Sequence, residues 1–197
     1  MNADSRKIKS LTRKVFRDRR RSGPIHQVSL PVIEKWPQKW QDKVKNAGYI
    51  AAYMPIDVEP LTEAFLSSLT SFPVKVCFPR VEEDRIVFYE AESADAFVPG
   101  SFSIPEPTPD AHMVSPDKIG IMLIPALAYD MAGTRLGRGK GFYDRFCGAF
   151  EEKKRPLLIG AVAKKNLFGS LVSDPWDLKV DLIVTEASFT DVSGKYK

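Results

Sequence analysis

The sequence predicts an α/β domain in which helices cover a largely parallel central sheet. Short apolar runs of strand length alternate with amphipathic helical patterns along the chain, the order expected of such a domain. One run, Ile119–Ile124, is almost wholly apolar, as a strand buried on both faces must be. The 197 residues, 44% apolar and 27% charged, suit a single soluble globular domain with a sizeable core.

Taken in order, residues 5–21 place Ile8, Leu11 and Val15 at helical spacing behind a capping Asp4 or Ser5, and Gly23-Pro24 is expected to end the helix. Arg6, Arg13, Arg17 and Arg20 share a side, and Lys9 and Arg13 form an i,i+4 pair. Three uses of this helix stay open: a solvated basic face, a mitochondrial presequence, or a source of cations for an anion site. Residues 28–46 give a second amphipathic stretch with Ile33, Trp36, Trp40 and Val44 on one stripe. Pro31 suits its first turn, and Pro37 should kink or divide it. The tryptophans read as core rather than a ligand cage.

Gly48–Met54 reads as a short buried strand closed by Pro55, followed by a helix at about 58–70. Val74–Phe78 is a second strand stopped by Pro79, and Arg85–Tyr89 a third. Residues 92–118 are proline-rich and without period, a long connection with room for one edge strand. After the central strand Ile119–Ile124, a glycine-rich loop leads into a helix at about Phe142–Lys153. Leu157–Ala163 and Asp181–Thr185 are two more strands, and residues from about 187 to 197 a polar tail. Ligands of such sheets collect at the carboxyl ends of strands, here after Met54, Phe78, Ile124, Ala163 and Thr185.

Charge is unevenly placed. Residues 1–21 hold nine Lys/Arg against Asp4 and Asp18, a net +7 in a chain whose total is +4, so the remainder is slightly acidic. That argues against a whole-surface nucleic-acid binder. No run is long enough to span a membrane. Cys77 and Cys147 are too few, and too plainly in apolar surroundings, for a disulfide framework or zinc site, and a reducing, cytoplasmic setting fits best.

The loop after the central strand carries the chemistry. Gly133-Thr-Arg135-Leu136-Gly137-Arg138-Gly139-Lys140-Gly141-Phe142-Tyr143-Asp144 combines four glycines with three cations. Glycine lets backbone approach an anion, a following helix offers free N–H groups, and Arg and Lys neutralise charge. The loop is neither a P-loop, since Gly141 and Phe142 follow Lys140, nor a dinucleotide fingerprint, since its glycine spacing is wrong. His26 and His112 lie far off in proline-containing connections and Cys147 inside a helix, so a Ser-His-Asp or Cys-His centre is not expected. What remains suits phosphoryl transfer, in which protein groups mainly position and stabilise charge. A magnesium ion would need one or two carboxylates, and Asp144 is the first candidate.

These residues resemble those of the 5-formyltetrahydrofolate cyclo-ligases, also called 5,10-methenyltetrahydrofolate synthetases, whose loop reads G-x-R-L-G-[YR]-G-[GK]-G-[YF]-Y-D. The likeness continues in order through Lys9-x-x-x-Arg13, Tyr53-Met-Pro with Glu59, Phe78-Pro-Arg80-Val, Ile104-Pro-Glu106-Pro, Pro125-x-x-x-Tyr-Asp130, and Asp177-x-x-x-Asp181 before Ile183-Val-Thr-Glu186. The resemblance implies a three-layer NagB/RpiA/CoA-transferase-like fold and an ATP- and Mg2+-dependent ligase. ATP would phosphorylate the formyl oxygen of 5-formyltetrahydrofolate, N10 would close the ring, and 5,10-methenyltetrahydrofolate, ADP and phosphate would leave. It implies ATP contacts at Lys9, Arg13 and Arg135–Tyr143, and folate contacts at Met54, Glu59 and Arg138–Phe142. It also implies magnesium at Asp144 and Asp177, and charge stabilisation by Arg138 and Lys140 with Arg135 and Arg145 in support. It further implies a cytoplasmic monomer with no nucleic-acid or membrane partner. Departures are Trp176 where relatives often have His, Asn166 where they have Gln, and Phe142 for a Tyr. A diverged member acting on another formylated or carboxylated molecule remains the alternative, with a nucleic-acid module behind it.

Overall fold

The computed structural model describes residues 3–21, 27–192 and 194. Its elements are α1 (Ala3–Arg21), α2 (Gln38–Lys45), β1 (Tyr49–Ala51), α3 (Glu63–Ser68), β2 (Lys75–Glu82), β3 (Arg85–Glu90), β4 (Phe97–Pro99), β5 (Pro105–Pro107), β6 (Ile119–Pro125), β7 (Ala128–Asp130), β8 (Arg135–Leu136), α4 (Phe142–Gly148), β9 (Leu157–Ala161), β10 (Leu167–Phe168), β11 (Leu182–Val184) and β12 (Phe189–Asp191). Seven strands form the main sheet in the order β12-β11-β9-β6-β1-β2-β3. The inner five are parallel, and β3 and β12 close the two edges antiparallel. The expected α/β class and mostly parallel sheet are both present.

β6 lies at the middle of the sheet and is buried on both faces. Ile121 and Leu123 pack with Trp36, Trp40, Val44 and Phe65 on one side. Met122 and Ile124 pack with Cys147, Tyr129 and Val180 on the other. Alternate residues of one strand thus enter two cores, which is why the run had to be continuously apolar. From β1 the chain goes on to β2 on one side, and from β6 to β9 on the other. That divergence makes the β1/β6 boundary a topological switch point, the place where sheets of this kind form a ligand crevice at the carboxyl ends of their strands.

Several local expectations shift. Ile8, Leu11 and Val15 face outward, 45–55% exposed, while Ser5, Lys9 and Phe16 are buried. The helix docks through ion pairs and one aromatic ring, so apolar spacing misplaced its inner face. Arg17 and Arg20 side chains, Gly23-Pro24 and His26 lie outside the described residues. Pro31 precedes the helical turn Ile33–Lys35 rather than entering it, and Pro37 divides that turn from α2 as expected. The helix expected at 58–70 starts only at Glu63, because Leu61 is held extended by backbone bonds with Val28 and Leu30.

β2 runs through Pro79 instead of stopping there. The backbone of Cys77 faces β1, its carbonyl accepting from Ala52, so Pro79 faces the same way. β1 has already ended there, and the missing N–H leaves no ladder bond unmade. α4 ends at Gly148, five residues early. The connection after β3 holds the two-stranded sheet β4-β5 rather than a single edge strand, and β7, β8 and β10 form a small third sheet. The expected tail contributes β12, whose Phe189 ring lies 5.5 Å from that of Trp36. Among the described residues no helix is long and apolar enough to cross a membrane.

Gly160 in β9 admits the Tyr129 ring, which an added Cβ would meet at 2.6 Å. The ring cannot retreat easily, because its hydroxyl donates to the Ile124 carbonyl at 2.8 Å. Gly160→Val should therefore destabilise the protein by about 1–3 kcal/mol, the usual cost of overpacking. A urea midpoint equal to wild type would show that the ring yields.

Candidate active site at the β1/β6 crevice

The loop after β1 and the glycine loop after β8 meet across the switch point. The link is Arg138. Its Nε donates to Glu59 Oε1 at 3.1 Å, one terminal nitrogen to Asp57 Oδ2 at 2.7 Å, and the other to the Ile56 carbonyl at 3.2 Å. Glu59 also accepts from the Ile56 N–H at 3.0 Å. Burial pushes the Glu59 carboxyl up to about 7, against the opposing charge of Arg138 and the Ile56 N–H. Met54, by contrast, is partly buried against Ala52, Phe78 and Ala91.

The glycine loop owes its path to its glycines. Gly139 has φ 101° and Gly141 φ 70°, conformations that L side chains rarely adopt. Gly141 caps α4. Arg145, proposed from sequence as support for charge, donates instead to the carbonyls of Lys140 and Asp84, clamping the loop to the β2–β3 turn. The Lys140 side chain is exposed, its Nζ 5.3 Å from the centre of the Phe102 ring. Phe142 also neighbours that ring. Leu136 is buried with Phe16, Leu127 and Ala128, anchoring the start of the loop. Burial raises the Tyr143 hydroxyl pKa and keeps it neutral.

Helix α1 reaches the same loop from the other side. Arg13 Nε donates to the Gly137 carbonyl at 2.8 Å. Lys9 bonds Asp174 Oδ2 at 2.7 Å and also bonds Asp177. Burial works to lower the Lys9 pKa, but the two carboxylates outweigh it and raise it. Ser5 adds a bond to Asp174 at 3.1 Å. Behind the loop, the almost fully buried Arg135 pairs with Asp144 at 2.5 Å. Burial pushes the Asp144 carboxyl up, yet the Arg135 charge and the Leu178 N–H hold it below its ordinary value. Asp144 thus accepts from the N–H of the residue that follows Asp177, and both carboxylates act on Arg13.

The crevice thus gathers Lys9, Arg13, Arg135, Arg138, Asp144, Asp177 and Glu59 around the glycine loop. Among the described residues no hydrogen bond or ion pair ties the side chain of Met54 or Lys140 to this group; Met54 packs by Phe78 and Lys140 lies exposed by Phe102. Sequence reading missed Asp57, Asp174 and Ser5. Only the turn-forming context Ser173-Asp174-Pro175 and the Pro55–Asp57 stretch signalled two of them. Trp176 is exposed and Asn166 is buried with its amide nitrogen unpaired. The thiol of Cys147 is buried and pushed up to about 12, a packing residue as expected. Among the described residues no three His, Cys, Asp or Glu side chains converge on a single point.

Charged side chains converging at the switch point of a parallel sheet define a small-molecule enzyme of the α/β class. The model of the 5-formyltetrahydrofolate cyclo-ligase family matches residues 7–186. The chain belongs to that family. It is 29% identical to the 5-formyltetrahydrofolate cyclo-ligase of Mycolicibacterium smegmatis, over 74% of this chain and 78% of the relative. The Saccharomyces cerevisiae cyclo-ligase is 26% identical, over 71% and 76%. The NMR structure of Aquifex aeolicus 5,10-methenyltetrahydrofolate synthetase superposes with a TM-score of 0.71 at 26% identity, covering 94% of this chain and 93% of that one.

Because the folded carboxyl of Glu59 titrates above its ordinary 4.5, the folded state holds that proton more tightly than the unfolded chain. Its contribution to stability is full below the ordinary value and is lost as pH rises through about 7. Glu59→Gln should lack this loss. The stability of the variant relative to wild type, read from urea midpoints, should rise between about pH 5 and pH 8. A difference that stays flat across the window would place the Glu59 pKa elsewhere.

Proposed function

We propose that this chain converts 5-formyltetrahydrofolate to 5,10-methenyltetrahydrofolate at the expense of ATP, in the crevice between β1 and β6. The observation that carries the reading is Arg138. It stems from the glycine loop, matched by resemblance to nucleotide phosphate, and ends on Glu59, matched to folate. Two substrate positions therefore adjoin across one guanidinium. The formyl oxygen is a poor leaving group until phosphorylated, so the reaction takes two steps. The oxygen attacks the γ-phosphorus and ADP leaves. N10 then attacks the activated carbon, loses its proton, and phosphate departs with the former formyl oxygen. No enzyme nucleophile is required, in keeping with the buried, high-pKa thiol of Cys147.

In this reading Lys9, Arg13 and residues Arg135–Tyr143 bind ATP. Lys140 and Arg138 stabilise charge on the transferred phosphoryl group. Met54, Glu59 and Arg138–Phe142 bound the folate. In this reading Asp144 and Asp177 would supply hard oxygen donors to a magnesium ion whose remaining ligands are phosphate oxygens and water. When bound, that ion would neutralise phosphate charge. Arg135 and Lys9 hold the two carboxylates in place.

The test is the appearance of the methenyl chromophore from 5-formyltetrahydrofolate with ATP, with and without magnesium. Folded protein that gives no product at saturating ATP would refute the assignment. Lys140→Ala should lower turnover about a hundredfold, the order expected for losing one charge stabiliser. Its side chain is exposed, so stability should move by no more than about 0.5 kcal/mol. Equal losses of turnover and stability would make Lys140 structural.

A further inference from the structure

The turn that receives Arg138 holds a residue in an unusual backbone conformation. Asp57 adopts φ 55°, the left-handed region that glycine occupies without cost. Asp tolerates it better than most residues, but a glycine would still be the cheaper choice for backbone alone. What a glycine cannot supply is the carboxylate that accepts Arg138 at 2.7 Å. The turn around it is braced. The buried Tyr53 hydroxyl donates to the Pro60 carbonyl at 2.9 Å, and Gln27 donates to the Glu59 carbonyl at 3.1 Å. Glu59 N–H returns to the Ile56 carbonyl at 3.1 Å. A rigid turn thus offers three acceptors, from Ile56, Asp57 and Glu59, to the three nitrogens of one guanidinium.

We propose that Asp57 is a positioning residue for Arg138, acting through the guanidinium to set the glycine loop against the folate side of the crevice. Without Asp57 the guanidinium keeps Glu59 on Nε and the neutral Ile56 carbonyl on one terminal nitrogen, and its other terminal nitrogen loses its charged acceptor. Asp57 supplies that second charge-assisted contact, the shortest of the three, and so tightens the hold on the fork. The carboxylate itself need not touch either substrate. The backbone conformation is then the cost of placing a charged acceptor on this edge of the guanidinium.

This inference rests on the reading of Arg138 given above, and two measurements keep them apart. The first needs no turnover. Phenylglyoxal labelling of Arg138, followed by peptide mass spectrometry, should be faster in Asp57→Gly than in wild type. The second is kinetic. Asp57→Gly should keep a thermal midpoint close to wild type, since glycine suits φ 55°. It should lower kcat about tenfold or more while the KM for ATP changes by about twofold or less. In an Arg138→Ala background the same substitution should add almost nothing. Labelling unchanged, kcat within about twofold of wild type, or an undiminished effect in the Arg138→Ala background would each overturn the proposal. Wild-type protein that fails to form the methenyl product would refute the assigned reaction, while the labelling would still decide whether Asp57 holds Arg138.

Discussion

A carboxyl group such as Glu59 cannot be buried at a strand end without a partner, and its partner here comes from more than seventy residues away in the chain. Burial alone pushes Glu59 toward neutrality, and Arg138 pulls it back, leaving it at about 7. The contact ties the β1 turn to the glycine loop where the strand order diverges, and it does so with a charge rather than with apolar packing. Truncating either partner would strand the other in a partly dry setting, the costly outcome for a buried pair. The glycine loop, the β1 turn and the switch point are therefore coupled by one electrostatic requirement.

The same requirement explains how α1 is held. An amphipathic helix ordinarily docks through its apolar stripe. This one turns Ile8, Leu11 and Val15 outward and docks through Ser5, Lys9, Arg13 and Phe16. Lys9 finds two carboxylates on the segment before β11, and Arg13 finds a loop carbonyl. Those partners lie at sites that the helix's apolar residues could not satisfy. Leaving Asp174 buried without Lys9 would cost more than exposing three aliphatic side chains, each of which loses only part of its burial.

What the sequence made legible follows from this division. Ile119–Ile124, the Trp36/Trp40 stripe and the two-faced sheet were readable because apolar periodicity reports packing directly. The glycine loop stood out as a candidate because its glycines and charges, Asp144 among them, are contiguous in one stretch. The inner face of α1 was not, because its docking is ionic and its partners lie near residue 174. β12 was missed for a related reason: three half-buried residues beside a polar end carry almost no periodic signal. Pro79 misled because the proline rule concerns ladder bonds, and only the position at which β1 ends shows that none was due there. Asp57 had a turn-like setting, yet nothing in the chain order tied it to Arg138.

The electrostatics also account for why the loop departs from the better-known phosphate motifs. A P-loop relies on a long helix whose N-terminal N–H groups and dipole face the anion. Here α4 has only seven residues and begins at a left-handed glycine. So short a helix contributes little dipole. Under the proposed reading the missing field is supplied by whole charges drawn from separate elements: Lys9 and Arg13 from α1, and Arg135, Arg138 and Lys140 from the loop. Such a site needs its cations aimed, since a mobile guanidinium is solvated and screened like any surface charge. Four of the five are accordingly held by a partner that is not the ligand. Arg135 is held by Asp144, Arg13 by the Gly137 carbonyl, Lys9 by Asp174 and Asp177, and Arg138 by the β1 turn. Lys140, exposed and beside the Phe102 ring, is left accessible to the transferred group in this reading.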